Sequence, residues 1–198
     1  MTDDPFVWMI PGGALLAVIL YLIMRGRSDR KRDAHFAVLA AHRGAIVEAT
    51  SEYSRRFSVD VDGRKVDVRD IYRAGGGSRR SGASYLMTAT ALRGRAWELH
   101  SVIVRQRFRA KAGEPFERRF KVEDLGLPMP DRWLSADVRA GIEAVFALGI
   151  AAAVDELDAG ELVHRAMASP VEVNAETLDA LLERHVALAS AIERARSR

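Results

Sequence analysis

The sequence predicts an α+β protein: an N-terminal transmembrane helix, then an antiparallel sheet of about five to seven strands packed with two or three helices. Three observations carry this expectation. An apolar run over residues 6–24 ends abruptly in a basic cluster. Asp62-Gly63 separates two segments of alternating hydrophobicity. From Ser135 onward the apolar period changes from two residues to between three and four.

At 198 residues, 48% hydrophobic and 29% charged, the chain suits one globular domain plus an anchor rather than a disordered polymer. It has no cysteine, which excludes disulfides, thiolate metal sites and cysteine nucleophiles. Of 30 basic residues 26 are arginine, which beside abundant alanine reads first as genomic bias and only second as phosphate recognition. The net charge of +3 is unevenly spread. Residues 25–43 hold six basic and two acidic side chains, residues 44–130 seventeen and eleven, and residues 131–198 seven and twelve. Basic charge therefore lies beside the apolar run and in the middle of the chain, and the C-terminal third is acidic.

The apolar run follows Asp3, Asp4 and Pro5 and passes into Arg25 without a small-x-small cleavage site, which is not the pattern of a signal peptide. Its 19 residues, ten of them Leu, Ile, Val or Phe, would rise about 28 Å as a helix, against a hydrocarbon core of roughly 30 Å. Pro11, Gly12 and Gly13 lie near one end, and Trp8 and Tyr21 flank the span as interfacial anchors. Arg25, Arg27, Arg30, Lys31 and Arg32 crowd its C-terminal side, and no cation other than the α-amino group precedes it. The positive-inside rule then gives an extracytoplasmic tip (1–5), a transmembrane helix (6–24), a basic juxtamembrane helix (25–43) and a cytoplasmic α+β domain (44–198). The expected location is the inner membrane, single-pass, with the N-terminus outside.

In the juxtamembrane helix Phe36, Leu39, Ala40 and Arg43 share a face and Gly44 is a stop. His35 and His42 lie two turns apart, too far to chelate one ion, and read as solvated or interfacial. Asp62-Gly63 supplies the two φ > 0 positions of a type I′ hairpin. That turn opposes Val61 to Arg64, Val59 to Val66 and Phe57 to Val68, with the apolar pairs on one face and Ser58, Asp60, Lys65 and Asp67 on the other. A calcium loop begun at Asp60 would need a carboxylate at its twelfth position, which is Ile71. The glycine-rich stretch 73–83 lacks the Gly-Lys-Ser/Thr of a phosphate loop and reads as a mobile connector that could touch an anionic partner.

Three further strands are expected over SYLMTATAL, RAWELHSVIVRQRFRAK and EPFERRFKV. Along the second, the odd positions run Trp97, Leu99, Ser101 and Ile103, then Arg105, Arg107, Arg109 and Lys111. Either this strand leaves the core for water or a bulge near Ile103-Val104 exchanges its faces. With Arg118 and Arg119 of the next strand, these cations form a candidate stripe for anionic lipid or, less well, nucleic acid, because no aromatics interleave at stacking intervals. Charged edge strands that discourage aggregation explain the same pattern. Ser135 caps a helix bearing Val138, Ile142, Val145 and Phe146, and Gly149 stops it. A short hairpin turns at Asp158-Ala159-Gly160, and Asn174 caps a final helix with Leu178, Leu181, His185, Leu188, Ile192 and Ala195 on one seam. That seam packs on its own sheet or on a second copy, and His185 within it reads as a packed side chain.

No nucleophile–base spacing, metal cluster or contrasted carboxylate pair is present, and His100 and His164 have no partners nearby in sequence, so no catalytic residue, cofactor or metal ligand is expected. Phe116, Glu117, Phe120 and Val122 form a Phe-Glu-x-x-Phe-x-Val stretch. Over roughly residues 110–198 the chain resembles bacterial single-pass membrane-anchored proteins of unknown function, and that resemblance implies placement and order of elements, not a mechanism. The expected function is a membrane-anchored binding or scaffold domain with a protein partner in the membrane or envelope. A tethered module binding anionic lipid or nucleic acid through the stripe, and a membrane-associated enzyme, are the alternatives.

Overall fold

The computed structural model describes residues 6–51, 54–73, 83–93, 102–107, 111, 113–124, 134–150, 152–158, 160–166 and 170–197. It is an α+β fold built on one antiparallel sheet. The first element, helix α1 (Phe6–His42), is a single helix of 37 residues, about 55 Å long, rather than an apolar helix and a separate basic one. Gly44 (φ 64°) ends it: the Ala45 N–H returns to the Ala40 carbonyl and the Gly44 N–H to that of Ala41, both at 2.9 Å. Among the described residues no helix is long and apolar enough to cross a membrane. The side chains of residues 6–19, together with Tyr21, Leu22, Arg25 and Ser28, lie outside the described set.

Strands β1 (Glu48–Ser51), β2 (Ser54–Val61), β3 (Arg64–Arg73) and β4 (Ala83–Ala91) form a meander. The β2–β3 turn is the one expected: Asp62 and Gly63 sit at φ 53° and 69°, and the Asp60 carboxylate accepts from the Gly63 N–H at 2.9 Å. Its register pairs Val61 with Arg64, Val59 with Val66 and Phe57 with Val68. All six residues are buried. A β-branched residue is strained at such a φ, so Gly63→Val is expected to lower stability by about 1–3 kcal/mol in urea unfolding. An unchanged midpoint would show that the turn relaxes to another type.

Beyond β4 the order departs from the sequence. Strands β5 (Val102–Gln106), β6 (Phe120–Asp124), β7 (Ala152–Asp158) and β8 (Glu161–Ala166) complete an eight-stranded sheet ordered β1-β2-β3-β4-β8-β7-β5-β6, one strand more than the upper end of the expectation. The β7–β8 hairpin inserts between β4 and β5, and β6 forms an edge. No bulge interrupts β5 against β6, whose register is regular from Val102–Asp124 to Gln106–Phe120. Instead β5 is buried on both faces at Val102, Ile103 and Val104 and exposed from Arg105 onward, so this strand leaves the core for water.

The expected strand over EPFERRFKV is only half a strand. Phe116–Arg119 is one helical turn, α2, and the strand begins at Phe120. A helical turn brings residues i and i+4 within about 6 Å along the chain, where a strand would separate them by about 13 Å. The Phe116 and Phe120 rings thereby meet at 4.7 Å, and Phe120 reaches Phe146 at 5.1 Å.

Helices α3 (Ala136–Phe146) and α4 (Ala175–Arg196) lie with the C-terminal part of α1 over one face of the sheet. Their caps are the expected ones: Ser135 Oγ accepts from Val138 N–H at 3.4 Å, and Asn174 Oδ1 from Thr177 N–H at 2.7 Å. A Cβ at Gly141 would come within 3.0 Å of the Leu188 side chain, so glycine sets how closely α3 approaches α4. The seam Leu178, Leu181, His185, Leu188, Ile192 and Ala195 is buried within this chain, against its own sheet and helices. Phe36, Leu39 and Ala40 of α1 belong to the same core, and Phe36 stacks on Phe57 at 5.0 Å. The packed unit therefore begins before residue 44. On the opposite sheet face Met87, Ala89 and Val163 form a small second cluster.

Candidate functional site

The most distinctive arrangement is how α1 is held. Alternation along β3 turns Arg64, Val66, Val68 and Asp70 toward the helices, so the inward row carries a charge at each end. At one end Arg32 of α1 meets Asp70 at 2.9 Å, with Asp70 only 1% exposed. At the other, Arg64 grips Glu193 of α4 through two bonds of 2.8 and 2.7 Å and also donates to the Ala91 carbonyl at 2.8 Å. Burial raises the Glu193 pKa, but hydrogen bonds from Arg64 and the Arg93 N–H outweigh it and hold the carboxyl below its usual range.

Further contacts tie α1 to the rest of the domain. Asp33 pairs with Arg55 of β2. His35 Nε2 bonds the Val173 carbonyl at 2.9 Å, and His42 and Arg43 both reach Asp179 of α4, at 2.9 and 2.6 Å. Burial again raises the Asp179 carboxyl, and the bonds from His42 and Arg43 bring it below normal. The two histidines thus fasten α1 to distant parts of the chain, His35 from a half-buried position and His42 from an exposed one. Nothing in their local sequence reveals it, because both partners lie more than 130 residues away.

The interfacial cations separate into two groups. Arg32 is drawn into the domain. Arg27, Arg30 and Lys31 are exposed, and among the described residues no ion pair engages them. A concavity of about 450 Å³ borders Met24, Arg27, Arg30 and Lys31. Trp8, Tyr21 and Arg25 lie on α1 with side chains outside the described residues.

Among the described residues, the strand cations are partly matched by carboxylates. Arg105 lies 3.7 Å from Glu123 and Lys121 lies 2.6 Å from it. The bond from Lys121, with Arg105 nearby, holds the Glu123 carboxyl low. Arg119 pairs with Glu143 at 3.4 Å and covers the Phe120 ring. Arg107 donates to the Phe120 carbonyl at 3.4 Å. Arg118 and Lys111 are exposed, and Arg109 lies outside the described residues, as do His100 and residues 74–82 of the glycine-rich stretch. Charge on β6, the edge strand, fits an edge-protecting role.

One interior cluster was not legible beforehand. Thr88 of β4 faces His164 of β8 in register, and His185 of α4 descends on them, with Thr88 Oγ1 and His185 Nδ1 3.3 Å apart. The His164 ring sits edge-on to Phe146 at 6.3 Å. Burial lowers the His164 pKa to about 4. Burial, then the charges of His164 and Arg64, lower that of His185 to about 3. Both rings are therefore neutral near pH 7. Among the described residues no group of three or more His, Asp or Glu side chains could hold a metal ion.

Comparison with protein-family models, with curated proteins and with solved structures finds no match. The reading of function therefore rests on the residues themselves.

Proposed function

We propose that this chain is a single-pass membrane protein whose α+β domain lies in the cytoplasm and acts by binding, as a scaffold for a protein partner of the membrane or envelope, rather than by catalysis. The observation that carries this reading is the continuity of α1. The apolar run and the helix packed into the core are one helix without a linker. Phe36 follows Met24 by twelve residues, about 18 Å of helix. A segment able to span a bilayer would thus hold the domain at a set height and rotation, which serves a scaffold and is unneeded in a freely diffusing domain. The clamp of Arg32, Asp33, His35, His42 and Arg43 supports the same reading, because it resists rotation of the helix against the sheet.

Orientation rests on the cations following the apolar run. A reporter fused after Arg198 is expected to be active in the cytoplasm and silent outside it. Activity outside would reverse the orientation, and a shortened protein released from membranes would remove the anchor.

A further inference from the structure

The charges of residues 25–33 are mixed in sequence but sorted in space. Both acids of this stretch are held by arginines: Asp33 by Arg55, and Asp29 by Arg32, which itself turns to Asp70. At about 100° per residue, Arg27 lies about 180° around the helix from the buried Phe36, with Lys31 and Arg30 to either side of it. The face turned from the domain therefore carries Arg27, Arg30 and Lys31 with no acid among them. One turn earlier it carries Leu20, Ile23 and Met24, which are 51%, 48% and 66% exposed. Exposed apolar side chains followed over about 5–10 Å of helix rise by three exposed cations reproduce the polarity profile of a bilayer surface, acyl chain and then phosphate.

We propose that Arg27, Arg30 and Lys31, with Met24 beside them, bind the phosphate groups of anionic phospholipid in the leaflet that the apolar run enters. This rests on the membrane reading above and adds a lipid class and a face to it. The α1 cations differ from those of the strand region in that Arg105, Arg119 and Lys121 each lie beside a glutamate. Arginine can hold a phosphate by two parallel N–H bonds and lysine by a point charge, so a mixed set grips a headgroup without demanding one geometry. The clamp on the far side of α1 keeps the three cations aimed away from the domain.

The test uses the full chain reconstituted into vesicles of phosphatidylcholine mixed with phosphatidylglycerol. Flotation with the vesicles reports the anchor. Spin-labelled phosphatidylglycerol and phosphatidylcholine then report which lipid the protein holds at its surface. Wild type is expected to float and to prefer phosphatidylglycerol by about fivefold or more, the order given by one cation near an anionic surface. Arg27→Gln/Arg30→Gln/Lys31→Gln is expected to float equally and to lose that preference, and Arg27→Gln alone to lose part of it. Arg105→Gln/Arg107→Gln/Arg118→Gln, around β5 and α2, is expected to retain it. Flotation without preference in wild type would overturn the lipid site and leave the anchor standing. Failure to float on either lipid would overturn both. Preference that survives the triple α1 change, or that disappears with the strand changes, would also sink the proposal.

Discussion

Arg64→Ala is expected to destabilise the domain by about 3–5 kcal/mol, the usual cost of removing one partner of a buried ion pair. Arg64 is 5% exposed, and its guanidinium makes both bonds to Glu193 and one to the Ala91 carbonyl. After truncation Glu193 keeps the Arg93 N–H and loses its countercharge, while the Ala91 carbonyl loses that donor. The double change Arg64→Met/Glu193→Leu removes both charges and fills the space, and it is expected to recover most of the loss. Urea unfolding of the two variants separates the mechanisms. A double variant as unstable as the single one would show that the guanidinium acts through packing rather than through its partner.

A second large effect is acid lability set by His164 and His185. Each has its folded pKa depressed, to about 4 and about 3, below the ordinary value of 6.5. Above pH 6.5 both states are neutral at these rings and the domain has its full stability. As pH falls below 6.5 the unfolded chain takes up two protons that the folded chain cannot, so stability drops through the window from 6.5 toward 4. With two such groups the slope approaches about 2.7 kcal/mol per pH unit, and each contributes on the order of 3 kcal/mol by its folded pKa. Their sum rivals the whole stability of an ordinary domain, roughly 5–15 kcal/mol. Unfolding free energies measured from pH 7 down to pH 4.5 are expected to show this slope. His164→Phe, which keeps an aromatic ring beside Phe146, is expected to halve it. An unchanged slope in that variant would show that His164 does not carry the acid sensitivity; the carboxylates of Glu193 and Asp179, whose folded pKa values are also lowered, lose stability only further down in pH.

What the sequence determined by itself was local. The Asp62-Gly63 turn, the register it imposes, the Ser135 and Asn174 caps and the Gly44 stop are all consequences of a few adjacent residues, and period-two and period-four patterns report which side of an element is buried. That Arg64 and Asp70 lie inward at the ends of the β3 row emerged from the structure, as did their partners. Those were decided by tertiary structure alone. Glu193, Arg32 and His185 reach the sheet from helices far away in the chain, and no spacing rule links residues 64 and 193. The same holds for the strand order, because pairing β4 with β8 depends on which hairpin can close over the core rather than on proximity in sequence. The turn at Phe116–Arg119 escapes the sequence pattern for a related reason: alternation permits a strand there, while the contact of Phe120 with Phe146, on another helix, is tertiary. Finally, the cations of residues 27–32 look alike in one dimension. Packing of a single helix face against Asp70 divides them into a residue of the core and a group left facing outward.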